Sequence, residues 1–346
     1  MEQSTAGPAD PNSGPSAGND QDTTPIYAAL DLGTNNCRLL IAHPAVSSSS
    51  TGSPFRVVNT FSRIVRLGEG LDTSGNLSET AMNRTVEALK VCAGRLARFG
   101  VTRARCVSTA ACRRADNGSE FLERVFRETG IRLDVISGEE EARLAIEGCA
   151  PLLESDHDHA LVLDIGGGST ELIWLDLENP EPRVTGWSSL PFGVVTFAEK
   201  YGGDNVTEDI YRQMIHAAVV QLNPFEKEHQ IRRCIENRSV QMLGTSGTVT
   251  TLAAFHQGLK RYDRSKVDGV WIDRNDISSL SAKLAAMTCD ERAADPCIGP
   301  GRADLVVAGC AILEAINETW PCERLRVADR GVREGVLRML IREDQN

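Results

Sequence analysis

Residues 31–40 read Asp-Leu-Gly-Thr-Asn-Asn-Cys-Arg-Leu-Leu, and residues 164–173 read Asp-Ile-Gly-Gly-Gly-Ser-Thr-Glu-Leu-Ile. Each copy follows an apolar run, Tyr27–Leu30 or Leu161–Leu163, and leads into a second apolar run. Two β-turn-β units that both begin with Asp-apolar-Gly predict a duplicated domain, because an internal repeat is the sequence signature of repeated structure. The repeat therefore predicts two equivalent hairpins, one in each half of the chain.

The turns of these hairpins have the chemistry of anion-binding loops. Glycines let the backbone fold tightly, so that successive N–H groups point into one concavity. An aspartate that ends the strand before each turn, Asp31 or Asp164, is placed to hold Mg²⁺ against the same phosphates. The alternative is two ordinary hairpins in which both aspartates only form turns. The candidate phosphate-binding residues of the two turns are Gly33, Thr34, Asn35, Asn36, Gly166, Gly167, Gly168 and Ser169.

A third glycine turn, Leu243–Thr248, is predicted between a strand and a helix over Val249–Phe255. Backbone donors at the start of that helix could bind a phosphate or a nucleoside. The alternative is a tight strand-helix turn with a Ser/Thr cap. The candidate phosphate-binding residues here are Gly244, Thr245 and Ser246. The sequence contains neither a GxxxxGK[ST] loop nor a GxGxxG after a strand, which argues against a P-loop enzyme and a dinucleotide-binding domain.

Around the turns, strand and helix patterns alternate, which is typical of an α/β architecture. The helix over 79–99 is the clearest: Ser78 is a candidate N-cap, and Met82, Val86 and Leu89 recur at helical spacing. Residues 1–24 lack large apolar side chains and are predicted to be disordered, and 47–54 are predicted to form a surface loop. The other predicted elements are strands 26–32, 37–43, 56–67, 104–109 and 132–136, and helices 119–129, 139–149 and 331–342.

Composition indicates a soluble globular protein. The 346 residues are 41% hydrophobic and 25% charged, no apolar run reaches the roughly 20 residues of a membrane span, and no Lys or Arg precedes Arg38. We therefore expect a cytoplasmic protein with no membrane partner, whose ten cysteines are small buried thiols. The net charge of −11 gives no support for a nucleic-acid partner. The string His157-Asp158-His159 lies in a polar stretch and is interpreted as solvated loop.

These motifs, together with further segments of the chain, resemble those of a known superfamily and of one family within it. The hairpin pair and the third turn resemble the phosphate-1, phosphate-2 and adenosine motifs of actin, sugar kinases and heat-shock chaperones. Four further segments resemble the exopolyphosphatase/guanosine pentaphosphate phosphohydrolase (Ppx/GppA) family, in a short form without its C-terminal HD-type domain. These are Ser108–Ala115, Val135–Leu144, which contains Ile-Ser-Gly-Glu-Glu-Glu-Ala-Arg, Arg302–Asp304 and Asp329–Gly335.

The resemblance implies roles for individual residues. Glu141 falls at the position of the catalytic base, Arg113 at that of a phosphate-binding arginine, and Asp164, Gly166 and Glu171 at functional phosphate-2 positions. Asp31, Asp164 and Glu171 are the expected ligands of Mg²⁺, with Mn²⁺ as an alternative. The contrasting interpretation of Glu139–Glu141 is an acidic first helical turn that complements the helix dipole.

The resemblance also implies the fold and the activity. We expect two duplicated actin-like (ribonuclease H-like) α/β domains with the active site in the cleft between them. The first domain comprises 25–144 plus 330–346, and the second 145–329. The expected activity is Mg²⁺-dependent release of terminal orthophosphate from inorganic polyphosphate, with guanosine pentaphosphate as the alternative substrate, and a homodimer is compatible with it. The alternatives from other classes are a non-catalytic nucleotide or polyphosphate sensor and an ATP-dependent sugar kinase or chaperone.

Overall fold

The computed structural model describes residues 24–45, 54–179, 181–237 and 239–345. Its strands are β1 (Tyr27–Leu32), β2 (Asn36–Pro44), β3 (Phe55–Ile64), β4 (Arg103–Ser108), β5 (Asp134–Val135), β6 (His159–Ile165), β7 (Thr170–Asp176), β8 (Arg183–Leu190), β9 (Val240–Thr245), β10 (Trp271–Asp273) and β11 (Arg324–Ala328). Its α-helices are α1 (Leu71–Ser74), α2 (Glu79–Arg98), α3 (Ala110–Arg114), α4 (Gly118–Thr129), α5 (Gly138–Cys149), α6 (Val194–Tyr201), α7 (Glu208–His229), α8 (Ile231–Glu236), α9 (Ser246–His256), α10 (Arg264–Val267), α11 (Arg274–Ala286), α12 (Cys289–Ala294), α13 (Val306–Thr319) and α14 (Val332–Gln345). A 3₁₀-helix covers Ala150–Leu152.

The strands form two sheets with the same topology. The first sheet has the order β3-β2-β1-β4-β5, and the second has the order β8-β7-β6-β9-β11, with β10 added at its edge. In the first sheet, β3, β2 and β1 are antiparallel neighbours, and β4 and β5 follow parallel to β1. In the second sheet, β8, β7 and β6 are antiparallel neighbours, and β9 and β11 follow parallel to β6. The register even shifts at equivalent points, between Ile41 and Ala42 in β2 and between Trp174 and Leu175 in β7. The predicted α/β fold of two duplicated actin-like domains is confirmed.

Helix α5 lies between the two sheets. Its residues Ala142, Ile146 and Cys149 belong to an apolar cluster on β6 and β7 of the second sheet. On another face of the same helix, Leu144 and Ala145 belong to a cluster that covers β1 and β2 and includes α14. Because both sheets bury part of α5, this helix connects the lobes mechanically as well as in sequence.

The C-terminal helix α14 crosses α5 at two glycines. A Cβ on Gly335 would lie 1.9 Å from the Leu144 carbonyl oxygen, and a Cβ on Gly148 would lie 2.1 Å from the Gly331 carbonyl oxygen. Only glycine lets two backbones approach this closely, since any larger residue would place an atom inside the neighbouring carbonyl. The predicted boundary between residues 144 and 145 falls within α5. We retain the division of the chain into two lobes, with α14 returning to the first, as a proposal.

Several local predictions are met, and others differ in extent. Ser78 caps α2 by accepting a hydrogen bond from the Ala81 N–H, as predicted. The predicted strand 56–67 ends at Ile64, because the Val65 and Arg66 N–H groups donate to the Asn35 carbonyl instead of continuing the ladder. The predicted strand 132–136 is only Asp134–Val135.

Other features concern single residue types. All ten cysteines lie within the described ranges and are unpaired, eight of them buried, as expected. The interpretation of His157–His159 as solvated loop is wrong at its end: His159 begins β6, and its ring lies 5.0 Å from that of Trp174. In the described ranges, every helix is too short or too polar to cross a membrane. The predictions for the tail 1–24 and the loop 47–54 lie, except for residues 24 and 54, outside the described residues.

Candidate active site

The two hairpin turns have the same backbone geometry. The Gly33 N–H donates to the Asn36 carbonyl at 2.9 Å, and the Gly166 N–H donates to the Ser169 carbonyl at 2.9 Å. The residues that face each other across the strands differ in charge, however, since Asp31 pairs with Arg38 while Asp164 pairs with Glu171. The repeat is therefore structural, and the two hairpins carry different chemistry.

The two turns touch one another across the cleft. A Cβ on Gly167 would lie 3.1 Å from the Thr34 Cβ and 3.2 Å from the Asn35 Cβ, and one on Gly168 would lie 2.9 Å from the Thr34 Oγ1. The glycines of the second turn thus admit the side chains of the first. This contact brings the two turns together at one place in the cleft.

At that place lies a cavity of about 120 Å³ between the lobes. Both turns contribute to its wall, and so do α5, the start of α9 and the loop before α13. The predicted site residues that line it are Asp31, Gly33, Thr34, Asn35, Asn36, Glu141, Asp164, Gly166, Gly167, Gly168, Ser169 and Ser246.

Four predicted site residues lie beside this cavity and do not line it. Glu171 is buried under the second turn, where the Ser189 hydroxyl donates to it at 3.0 Å. Arg113 donates to the Ile136 carbonyl at 2.7 Å and lies 3.4 Å from the Glu141 carboxylate. Gly244 lies inside β9, which runs directly into α9, and the Thr245 hydroxyl donates to the Arg330 carbonyl. The phosphate-binding roles of Arg113, Gly244 and Thr245 and the metal-binding role of Glu171 stay predictions.

Helix α5 presents one of its three consecutive glutamates to the cavity. Ser137 caps the helix by accepting from the Glu140 N–H. Glu139 is exposed, and Glu140 pairs with Arg105 at 2.5 Å. The Glu141 side chain is only 11% exposed and lines the cavity. The three glutamates are therefore not equivalent members of an acidic first turn, because the phase of the helix buries only the third.

Burial raises the pKa of the predicted base and of the three predicted metal ligands. Burial raises the pKa of Glu141 well above its usual value, and the charges of Glu171 and Asp164 raise it further. The Arg113 guanidinium lowers the same pKa but does not outweigh them. Burial and the neighbouring Glu171 raise the pKa of Asp164 to about 7, and burial also raises the pKa values of Asp31 and Glu171. So many buried carboxylates with so few cations among them form a strong site for positive charge.

Other atoms of the cavity fit a hard cation as well. The Oδ1 atoms of Asn35 and Asn36 and the Ser246 Oγ are buried and make no hydrogen bond to any described residue. Ser246 also has a positive φ of 91°, a strained conformation that is common at functional sites. Carboxylate, amide and hydroxyl oxygens are the ligands that Mg²⁺ and Mn²⁺ accept in proteins. Of the predicted ligands, Asp31 and Asp164 line this cavity and offer carboxylate oxygens that such an ion accepts, whereas Glu171 lies beside it.

A second group of ligand-type side chains lies outside the cavity. Within the part of the chain that the structure describes, Glu154, Asp156 and His157 are the three whose ligand atoms lie within 4.8 Å of one another. Glu154 of this group already pairs with Arg326. The ligand atoms of Asp31, Asp164 and Glu171 do not all meet that spacing, so only part of this set would contact a cation directly, with other oxygens completing its shell.

Two arginines of the cavity were given no role in the sequence prediction. Arg38 lies near Asp31 and Asp164, whose pKa values it lowers, and Arg302 donates to the Thr251 hydroxyl at 2.9 Å. Burial and then the charge of Arg38 lower the pKa of Arg302, and both side chains line the same cavity. Comparing the second strands of the repeat could have revealed Arg38, because it stands opposite Asp31 as Glu171 stands opposite Asp164.

The chain is similar to proteins of one family over most of its length. The Ppx/GppA phosphatase family matches residues 45–343. Exopolyphosphatase 2 of Mycobacterium tuberculosis is 29% identical over 322 residues, which cover 89% of this chain and 96% of that protein. The crystal structure of the Aquifex aeolicus member of the Ppx/GppA family has a TM-score of 0.73 and 29% identity, covering 93% of this chain and 99% of that one. An exopolyphosphatase from Cytophaga hutchinsonii has a TM-score of 0.80 and 26% identity, covering 92% and 98%.

Proposed function

The chain belongs to the Ppx/GppA phosphatase family, and on that basis we propose that it is an exopolyphosphatase, which releases orthophosphate from the ends of inorganic polyphosphate. The observation that carries the proposal is the cavity in which Glu141, two glycine turns and two arginines meet. The name of the Mycobacterium tuberculosis relative agrees with this substrate.

The two turns are the proposed binding site of the terminal phosphate. Successive backbone N–H groups in a glycine turn bind phosphate oxygens without regard to sequence, and Thr34 and Ser169 add hydroxyl donors. Contact between the turns, through Gly167, Gly168 and Thr34, limits how far a polymer can pass between the lobes.

Glu141 is the proposed general base. Hydrolysis of a phosphoanhydride needs a water molecule aligned with the bond that breaks, and a carboxylate that orients this water and accepts its proton. The buried position of Glu141 and its raised pKa suit it to accept a proton. Arg113, 3.4 Å from the Glu141 carboxylate, would fix the orientation of that carboxylate or bind a phosphate oxygen.

The charge of the phosphates requires positive groups in the cavity. Arg38 and Arg302 repel each other in the free protein, so an anion between them relieves that repulsion. Asp31, Asp164 and Glu171 would hold Mg²⁺, or Mn²⁺ in its place. When bound, such an ion offsets the charge of the phosphate oxygens.

Guanosine pentaphosphate is the second candidate substrate, and one observation favours it. The same cavity has an apolar wall formed by Val194, Leu305 and Val306, close to Arg302. A flat base can pack against such a wall while the phosphates face the arginines. Polyphosphate has no group that would use it.

The test is to measure orthophosphate release by the purified protein with Mg²⁺ and each substrate, beside the Glu141→Gln variant. We expect release from polyphosphate by the wild type, a chain that shortens only from its ends, and almost no release by the variant. Release from guanosine pentaphosphate alone would replace the first candidate by the second. Tight binding of either compound without turnover would favour the non-catalytic sensor, and equal release by both proteins would reject the proposed site.

A further inference from the structure

Arg66 has an unusual backbone conformation in the turn after β3. Its φ is 46°, in the left-handed region that residues other than glycine rarely adopt. Such a conformation is strained and persists only where its surroundings fix it. The surroundings here are the first phosphate turn on one side and the second lobe on the other.

The backbone around Arg66 is bonded to the first phosphate turn. The N–H groups of Val65 and Arg66 both donate to the Asn35 carbonyl, at 2.8 and 3.0 Å, and the Gly68 N–H donates to the Thr34 carbonyl at 3.0 Å. From α2, Arg84 donates to the Arg66 carbonyl at 3.1 Å. A displacement of Arg66 would therefore displace the turn that contains Thr34 and Asn35.

The side chain of Arg66 donates hydrogen bonds to the second lobe. Its two terminal nitrogens donate to the two carboxylate oxygens of Asp304 at 2.8 and 2.7 Å, and one of them also donates to the Gly301 carbonyl at 3.2 Å. Both side chains are about three-quarters buried, at 27% and 24% exposure. Asp304 follows Arg302, which lines the cavity, by two residues.

We propose that Arg66 and Asp304 are positioning residues, whose ion pair fixes the first phosphate turn relative to Arg302 across the cleft. A bidentate arginine–carboxylate pair fixes direction as well as distance. A chain of bonds therefore runs from the Asn35 carbonyl through Arg66 and Asp304 to Arg302. The inference rests on the proposed function, because it assigns to this pair the alignment of groups that bind one substrate.

The expected effect is on turnover more than on binding. A misplacement of about 1 Å at a reacting centre can lower the rate about a hundredfold, while flexible anion contacts re-form at little cost. We expect Arg66→Ala and Asp304→Asn each to lower kcat about tenfold or more, with KM changed less than about threefold. Arg66→Lys should recover only part of the loss, since an ammonium cannot make the bidentate contact.

A double-mutant cycle is the decisive measurement. If the two residues act only through each other, the variant with both substitutions should be no slower than either single variant. Losses that multiply would overturn the proposal. The matched control is Arg63→Ala, which removes an exposed arginine of β3 that packs on the Phe61 ring and should leave kcat unchanged.

Arg66→Gly separates the ion pair from the backbone strain. Glycine accepts the positive φ, so this variant keeps the turn but loses the side chain. We expect it to be as slow as Arg66→Ala although more stable, and full activity in it would overturn the proposal.

Hydrogen exchange gives a readout that does not need turnover. The peptide that contains residues 33–36 should exchange its amide hydrogens faster in Arg66→Ala and Asp304→Asn than in the wild type and Arg63→Ala. A wild type that hydrolyses neither substrate would end the proposed function. If the wild type is active and Arg66→Ala has the same exchange rates and the same activity, the positioning role of Arg66 and Asp304 is refuted while the proposed function stands.

Discussion

Gly335→Ala is expected to damage the active site from a position outside it. The added Cβ would lie 1.9 Å from the Leu144 carbonyl oxygen, where an ordinary contact is at least 3.4 Å. The two helices would have to separate by roughly 1.5 Å, and Glu141 lies on α5 less than one helical turn before Leu144. Such overpacking costs about 1–3 kcal/mol, and the better helix propensity of alanine returns up to about 1 kcal/mol of it.

The effect on activity follows from the same displacement. A shift of about 1 Å in α5 moves Glu141 relative to the phosphate turns, so we expect kcat to fall between about tenfold and a hundredfold. The melting temperature should fall by a few degrees at most, since the net destabilisation is on the order of 1–2 kcal/mol. The assay is orthophosphate release from polyphosphate, together with thermal melting followed by circular dichroism.

The matched control is Gly94→Ala in α2. A Cβ at this position would meet no atom within 4 Å, so the substitution should stabilise the protein by about 0.5–1 kcal/mol and leave kcat unchanged. If Gly335→Ala resembled Gly94→Ala in both melting temperature and kcat, the close crossing of α5 and α14 would not position Glu141. A loss of activity at unchanged stability would still support the reasoning.

The remaining predictions concern residues that line the cavity or lie beside it. Glu141→Gln should abolish turnover while substrate affinity stays within a few-fold, because the substitution keeps the size of the side chain but removes the charge that orients water. Steady-state kinetics and a binding assay check this, and turnover above roughly a tenth of the wild type would show that Glu141 is not the base. Asp164→Asn and Glu171→Gln should lower activity and shift the Mg²⁺ activation curve to higher concentration, whereas an unmoved curve would place both outside the metal shell. Arg113→Ala should lower kcat/KM, and Arg113→Lys should restore only part of it, since full rescue would mean that Arg113 supplies only positive potential.

The fold could be predicted from the sequence because its signals are local. A turn of Asp-apolar-Gly between two apolar runs favours a hairpin, and its recurrence near residues 31 and 164 indicated the duplication. The cap at Ser78 and the apolar periodicity of α2 likewise depend on neighbours within one or two turns of helix. These features were met in the structure almost at the predicted bounds.

What the sequence by itself determined is thus the two hairpins, the order of the elements and, through the resemblance of residues 135–144, the family and its candidate base. Only the tertiary structure decided which groups share the cavity. Strand β3 ends early because Val65 and Arg66 donate hydrogen bonds to the first phosphate turn, and Arg38 and Arg302, which are far apart in the sequence, line one cavity. The physical reason is that such contacts join residues far apart along the chain, and their register is fixed by the packing of α5 between two sheets, which local patterns do not encode.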